Sequence, residues 1–273
     1  AKRCRTPTAT VERAVYDEFL PSLPMPAVRC RGFVPEPEGE FCWLFLEDAG
    51  TDAYSPASEE HRVLAGQWLG TLHRARLSAD FQALLPDRGT NHYLQLLRAT
   101  QAGLGACFDN PVLPADDVAM LRNVVAQCAV VEAHWDELER FCPGLPRTLV
   151  HGDFVVKNLR LGAGSNGPAL LVFDWEMAGW GVPATDLAQF LGDTVTPDLE
   201  AYGSLLRQDF PQLDVHDIQR LADYGNLLRL VDKIFWETKR MVGDSYEFLL
   251  RSLTTVRLYE PQLASALRAA GWS

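Results

Sequence analysis

Residues 148–190 read TLVHGDFVVKNLRLGAGSNGPALLVFDWEMAGWGVPATDLAQF, and they decide the fold. Three pieces of this stretch act together. His151-Gly152-Asp153 is followed, five residues after the aspartate, by Asn158. The apolar run Ala169 to Phe173 has strand length and ends on Asp174-Trp175-Glu176. Asp186-Leu187-Ala188 follows a turn containing glycine and proline. Between the first two pieces, Gly162, Gly164, Ser165, Asn166, Gly167 and Pro168 read as a turn. A hairpin therefore returns Asp174 to the loop that holds Asp153 and Asn158. Two carboxylates and one amide converge there with oxygen ligands only, a set suited to magnesium bridging phosphates rather than to zinc.

This spacing resembles the catalytic core of kinases. Protein kinases carry H-R-D, four residues, Asn, and later D-F-G. Here Gly152 replaces the arginine and Trp175-Glu176 replace the Phe-Gly pair. With Asp186-Leu187-Ala188, these replacements resemble the aminoglycoside phosphotransferase and choline kinase superfamily of small-molecule kinases. The resemblance covers Arg147 to Phe190 well and the remainder loosely. It implies an α+β, two-lobed protein-kinase-like fold, with a small N-terminal β-containing lobe and a larger, mainly helical C-terminal lobe. It implies ATP (or GTP) and Mg2+ as cofactors. Asp153 becomes the base at the acceptor hydroxyl, Asn158 and Asp174 the magnesium ligands, and His151 and Asp186 the braces of the loop. The lysine that protein kinases carry two residues after the catalytic aspartate is absent, because Val155 stands there. Lys157, next to Asn158, reads as a solvated lysine.

The resemblance also orders the rest of the chain. A kinase of this kind opens with two strands and a glycine-rich loop over the phosphates. The sequence shows no such loop: either it begins after these elements, which is the expectation and makes Lys2 the candidate for the lysine that pairs the nucleotide phosphates, or the protein lacks them and Lys2 belongs to an ordinary basic N-terminus. A helix is expected from Val11 to Leu20 with Thr10 as N-cap and Val11, Val15 and Phe19 on one face. Glu12 is then the partner of Lys2, or else an acid that suits the first turn of any helix. Residues 21–40 hold five prolines and two glycines and read as loop, with a short strand near Val28 to Cys30. Glu40 to Asp48 reads as a buried strand that ends in the hinge, where backbone groups of Leu46, Glu47 and Asp48 read the adenine edge. The division that follows is a nucleotide-binding part, 1–48, and a catalytic and substrate-binding part, 49–273.

Helices are expected at Ser58–Leu77, His92–Ala99, Pro114–Phe141, Leu199–Gln208, Val215–Met241 and Tyr246–Ala270, with a further one starting at Asp186–Leu191. His73 ends an apolar face and reads as structural. Glu176, Trp180, Trp236 and Glu237 are the residues expected to contact an acceptor, with Asp232 and Asp244 as further acids nearby. The bland reading of each is packing or surface.

Composition narrows the function. The net charge is −11, which argues against nucleic acid, since phosphates need a basic footprint. It suits a cationic, hydroxylated small molecule, or solubility alone. No run of 18 apolar residues marks a membrane span, and the first residues show no apolar leader. Six cysteines without metal-type spacing read as free thiols, which points to a cytoplasmic protein. The favoured reading is phosphoryl transfer to an aminoglycoside-like acceptor, with a choline, amino-alcohol or sugar kinase as alternative. Two readings of other classes stand beside it. One is a metal-dependent phosphohydrolase, which normally gathers more histidines than the six scattered here. The other is a catalytically silent kinase-like binding protein.

Overall fold

The computed structural model describes residues 1–142, 145–164, 167–243 and 245–272. At the N-terminus, strand β1 (Lys2–Arg5) leads directly into helix α1 (Thr6–Ala14). The expected N-cap at Thr10 lies five residues past the observed one, Arg5. Pro7 occupies the first turn, where a missing N–H costs nothing. Thr10 lies inside the helix, its hydroxyl donating to the Thr6 carbonyl at 2.8 Å. Residues 15–19 widen into a π turn that carries the buried Val15, Tyr16 and Phe19.

Strands β2 (Cys30–Pro35) and β3 (Phe41–Leu46) complete an antiparallel sheet in the order β1-β3-β2, with Lys2 opposite Leu44 and Cys4 opposite Cys42. The alternation of β3 is that of a half-buried strand: Cys42 and Leu44 face the core, Trp43 and Phe45 face outward.

The chain then becomes largely helical. Ser58 caps α2 (Glu59–Arg74), its hydroxyl accepting from the His61 N–H. Trp68, Leu69, Leu72 and His73 are buried along it. Next come α3 (Ala79–Leu84), β4 (Asp87–Arg88) and α4 (Thr90–Ala106). The single helix expected over Pro114–Phe141 is two, α5 (Ala115–Ala133) and α6 (Trp135–Phe141). They break at His134, whose ring Nδ1 bonds the Val130 carbonyl at 2.9 Å.

Strand β5 (Thr148–Val150) precedes the hairpin of β6 (Leu159–Gly164) and β7 (Gly167–Val172). Its register runs from Leu159 opposite Val172 to Gly164 opposite Gly167. Gly162 and Gly164, expected in the turn, therefore belong to a strand; Ser165 and Asn166, expected there too, lie outside the described residues. β8 (Gly179–Gly181) pairs with both β4 and β5. The helix expected from Asp186 is only a 3₁₀ turn over Pro183–Leu187. Asp186 spends its carboxylate on a neighbouring loop, and Phe190 leaves the helical region at φ 53°.

Helices α7 (Leu199–Leu206), α8 (Val215–Arg240) and α9 (Tyr246–Ala269) close the chain. Asp214 and Asp217 form a reciprocal capping box that starts α8. Gly225 lets α8 touch the 183–187 turn: a Cβ there would stand 2.0 Å from the Ala184 carbonyl oxygen. The result is the expected α+β architecture, a small sheet-bearing N-terminal part followed by a larger helical part. The cysteines are free, and no described helix is long and apolar enough to cross a membrane.

Candidate active site

The loop after β5 is held from below. Asp186 accepts the backbone N–H groups of His151 (2.7 Å) and Gly152 (2.9 Å). Burial alone would raise its carboxyl, but the hydrogen bond from His73 and the neighbouring His151 hold it below the usual range. Gly152 is obligatory: its φ is 74°, and a Cβ would meet the Met177 carbonyl oxygen at 2.3 Å. His151 is fully buried and packs on Trp175, ring centroids 4.7 Å apart. Its Nε2 bonds the Phe173 carbonyl at 3.1 Å, and its Nδ1 accepts the Asp153 N–H at 3.3 Å. Those two bonds require the neutral Nε2–H tautomer, and burial lowers the pKa accordingly. His151 thus ties the loop to the end of the hairpin.

Asp153 points away from this brace. One carboxylate oxygen takes the Arg229 guanidinium, whose other nitrogen donates to the Gly152 carbonyl at 2.8 Å. The second oxygen faces the Asn158 amide (3.2 Å) and the Lys157 ammonium (3.3 Å). Burial works against the charge of Asp153, but Arg229 outweighs it and holds the carboxyl below its ordinary value. The Asn158 amide nitrogen also donates to the Asp153 carbonyl at 3.0 Å. Its side-chain oxygen is left without a partner among the described residues.

Asp174 sits at φ 69°, a left-handed conformation that aspartate tolerates better than most residues. Two bonds hold it there: its N–H donates to the Tyr16 hydroxyl at 3.0 Å, and the Trp175 N–H donates to Glu12 at 3.1 Å. Lys2 reaches three carboxylates, Glu12 at 2.9 Å, Glu176 at 3.1 Å and Asp174. Burial opposes its charge, yet Glu12 and Asp174 push the ammonium above the ordinary lysine range. The expected Lys2–Glu12 pair is therefore formed, with Glu12 fully buried. The second oxygen of Asp174 has no partner among the described residues. That oxygen and the Asn158 amide oxygen fit a hard cation that takes its remaining ligands from phosphate and water. No cluster of three or more His, Cys, Asp or Glu exists among the described residues, so no all-protein cage is built.

Two hollows flank this arrangement. A cleft of about 380 Å³ lies beneath Leu46–Gly50, with Val28, Arg160 and Phe173 on its walls. Leu46, Glu47 and Asp48 are all there, although the Glu47 N–H is already taken by the Arg29 carbonyl at 2.8 Å. A larger cavity of about 640 Å³ is walled by Asp153 and Glu176 on one side and by α8 on another. Phe173 lines the first hollow and Glu176 the second, so Asp174 stands in the chain between them.

Trp236, Glu237 and Asp232 line the larger cavity. Trp180 does not: it lies in β8, its N–H donating to the Pro86 carbonyl at 2.8 Å and its carbonyl accepting from Arg147 at 2.6 Å. The strand, unread in the sequence, carries it to another face. Asp244 lies outside the described residues. Arg229 was missed by sequence reasoning. A usable signal existed, since residues 229, 232, 233, 236, 237 and 240 repeat at helical spacing and all line the cavity.

Known proteins share this fold. The model of the phosphotransferase enzyme family matches residues 2–224. No curated protein matches the sequence. Among solved structures, the GDP and kanamycin complex of APH(2'')-IIIa is similar at TM-score 0.62 and 11% identity, over 94% of this chain and 83% of that one. A Plasmodium vivax ethanolamine kinase is similar at TM-score 0.57 and 15% identity, over 95% and 73%. A spectinomycin phosphotransferase in complex with ADP and spectinomycin is similar at 0.54 and 11%, over 96% and 82%.

Proposed function

The chain belongs to the phosphotransferase enzyme family, and we propose that it moves the γ-phosphoryl group of ATP or GTP, with magnesium, to a hydroxyl of a small molecule. It is a small-molecule kinase, and what carries the finer reading is one observation: Asp153 and Asp174 stand on a single brace of Asp186, His151 and Glu12, between the two hollows. The nucleotide base takes the cleft under Leu46–Asp48, and the acceptor takes the larger cavity. Residues 1–48 form the nucleotide-binding part, and 49–273 the catalytic and acceptor-binding part.

Asp174 and Asn158 would hold magnesium, which when bound with nucleotide neutralises charge on the transferring group. Lys2, released from part of its three-carboxylate contact, pairs the nucleotide phosphates. Asp153 accepts the acceptor proton on the oxygen that faces Lys157, since that lysine is exposed and free to swing aside. Phosphoryl transfer needs positioning and charge more than a strong base, so a carboxylate with a depressed pKa suffices. The net charge of −11 belongs to the whole chain and not to one site. The aminoglycoside-like and amino-alcohol acceptors suggested by the sequence remain members of the test panel.

The test is Asp174→Asn. Wild-type protein should show an ATP-induced rise in melting temperature that requires magnesium, and the variant should lose it while melting normally alone. An unchanged magnesium-dependent rise in the variant would refute the assignment.

A further inference from the structure

The larger cavity is close to charge-balanced, and its balance is built from pairs. Six cationic and five acidic side chains line it. Each of the five acids already touches a cation. Arg229 holds Asp153 and stands 3.7 Å from Asp232. Lys233 holds Asp193, Arg240 holds Glu237 at 2.6 Å, and Lys2 holds Glu176 at 3.1 Å. Glu237 takes a second bond from the Ser252 hydroxyl at 2.8 Å. An entering ammonium group therefore finds no unpaired carboxylate among the described residues that line the cavity. It would have to share a carboxylate with an internal cation and lie beside it, a like-charge contact that selects against such ligands.

The same wall suits a different chemistry. A hydroxyl both donates and accepts. Beside an ion pair it donates to the carboxylate and accepts from the cation, and leaves the pair intact. Three such pairs meet the cavity from α8: Arg229 with Asp232, Lys233 with Asp193, and Arg240 with Glu237. Among them stands Trp236, 43% exposed, a flat apolar face next to polar groups. A ring with one C–H face and several hydroxyls matches that layout. Resting on the phosphotransferase reading above, we infer that the acceptor is an uncharged polyhydroxylated ring, of the glycoside or cyclitol type, and not a polycation. Trp236 packs on its C–H face, and the α8 ion pairs bind its hydroxyls.

The experiment measures ADP release and acceptor phosphorylation with Mg·ATP. The neutral probes are trehalose, myo-inositol and methyl α-glucoside; the cationic probes are kanamycin and choline. At least one neutral probe should exceed both cationic probes in kcat/KM by about tenfold or more, a gap of about 1.4 kcal/mol. Its KM should change less than about twofold between ~0.05 M and ~0.5 M KCl, because no net charge is screened. Trp236→Ala should raise that KM about tenfold and leave the KM for ATP unchanged. Preferred transfer to kanamycin or choline overturns the inference. So does Mg·ATP binding with no transfer to any neutral probe. Failure of wild-type protein to bind Mg·ATP at all would be a different result, one that removes the kinase reading itself.

Discussion

Replacing Arg229 by methionine isolates the contact that sequence reasoning missed. Arg229 is 5% exposed, and its guanidinium makes two bonds, one to the Asp153 carboxylate and one to the Gly152 carbonyl. Methionine fills much of the stem volume, so the loss is mainly polar. Removing one partner of a buried ion pair costs about 3–5 kcal/mol, because the other charge stays behind. Asp153 retains 20% side-chain exposure and a second cation, Lys157, which moves the figure toward the lower end. The unpaired Gly152 carbonyl adds about 1 kcal/mol. The sum is about 4 kcal/mol, or roughly 8–16 °C in melting temperature for a chain of this size. Arg229→Lys, which keeps charge but reaches only one acceptor, should lie between. The double variant Arg229→Met with Asp153→Asn should be more stable than the sum of the single changes, since no orphan charge remains. Thermal denaturation followed by circular dichroism measures all four proteins. Arg229→Met melting within about 2 °C of wild type, or strict additivity in the double variant, would refute the reasoning.

Three further outcomes follow from other contacts. Asp153→Asn should lower turnover by about 10²–10⁴-fold, the usual range for a general base, with ATP affinity near wild type; steady-state kinetics and nucleotide titration check both halves. Gly225→Ala should destabilise by several degrees in a thermal melt, because its Cβ would stand 2.0 Å from the Ala184 oxygen and push α8 off the turn that holds Asp186. His92 is pushed down to about 4 by burial and by Arg88. A depressed imidazole is neutral in the folded state while the unfolded chain binds a proton. Its stability contribution is therefore complete above about pH 6.5 and is lost as pH falls toward 4. His92→Gln should flatten the melting temperature over that window, and an unchanged slope would remove His92 as the cause.

What the sequence disclosed was what spacing encodes. His151-Gly152-Asp153, Asn158, Asp174 and Asp186 fall within 36 residues of one another. Their mutual geometry follows from a strand, a loop and a hairpin. Lys2 and Glu12 were placed by chain order, and the ion pair is formed. Arg229 escaped because it is 76 residues from Asp153 and only tertiary packing joins them. Trp180 was misplaced because a three-residue strand, stabilised by pairing on both edges, has no periodicity to read. The start of α1 was misjudged because Thr10 resembles a cap, whereas Pro7 was the stronger signal. The false helix at Asp186 shows the same limit: a side chain committed to a distant loop overrides local propensity.

Helix α8 has 26 residues, so it spans about 39 Å at 1.5 Å per residue. Its functions are sorted along that length. Gly225, near the first third, is the docking point on the Asp186 turn. Arg229, one turn on, grips Asp153. Asp232, Lys233, Trp236, Glu237 and Arg240 line the larger cavity, while Ile234 and Thr238 turn into the core. On the function proposed above, substitutions at these cavity-lining positions would retool what the enzyme accepts without disturbing the clamp on Asp153. The clamp, the docking point and the core residues Ile234 and Thr238 tolerate little, which leaves the cavity-lining positions of the distal turns to vary. A lineage of such enzymes could change acceptors by drift at one end of a single rod, and a designer could choose positions 233, 236, 237 and 240 for a library on the same grounds.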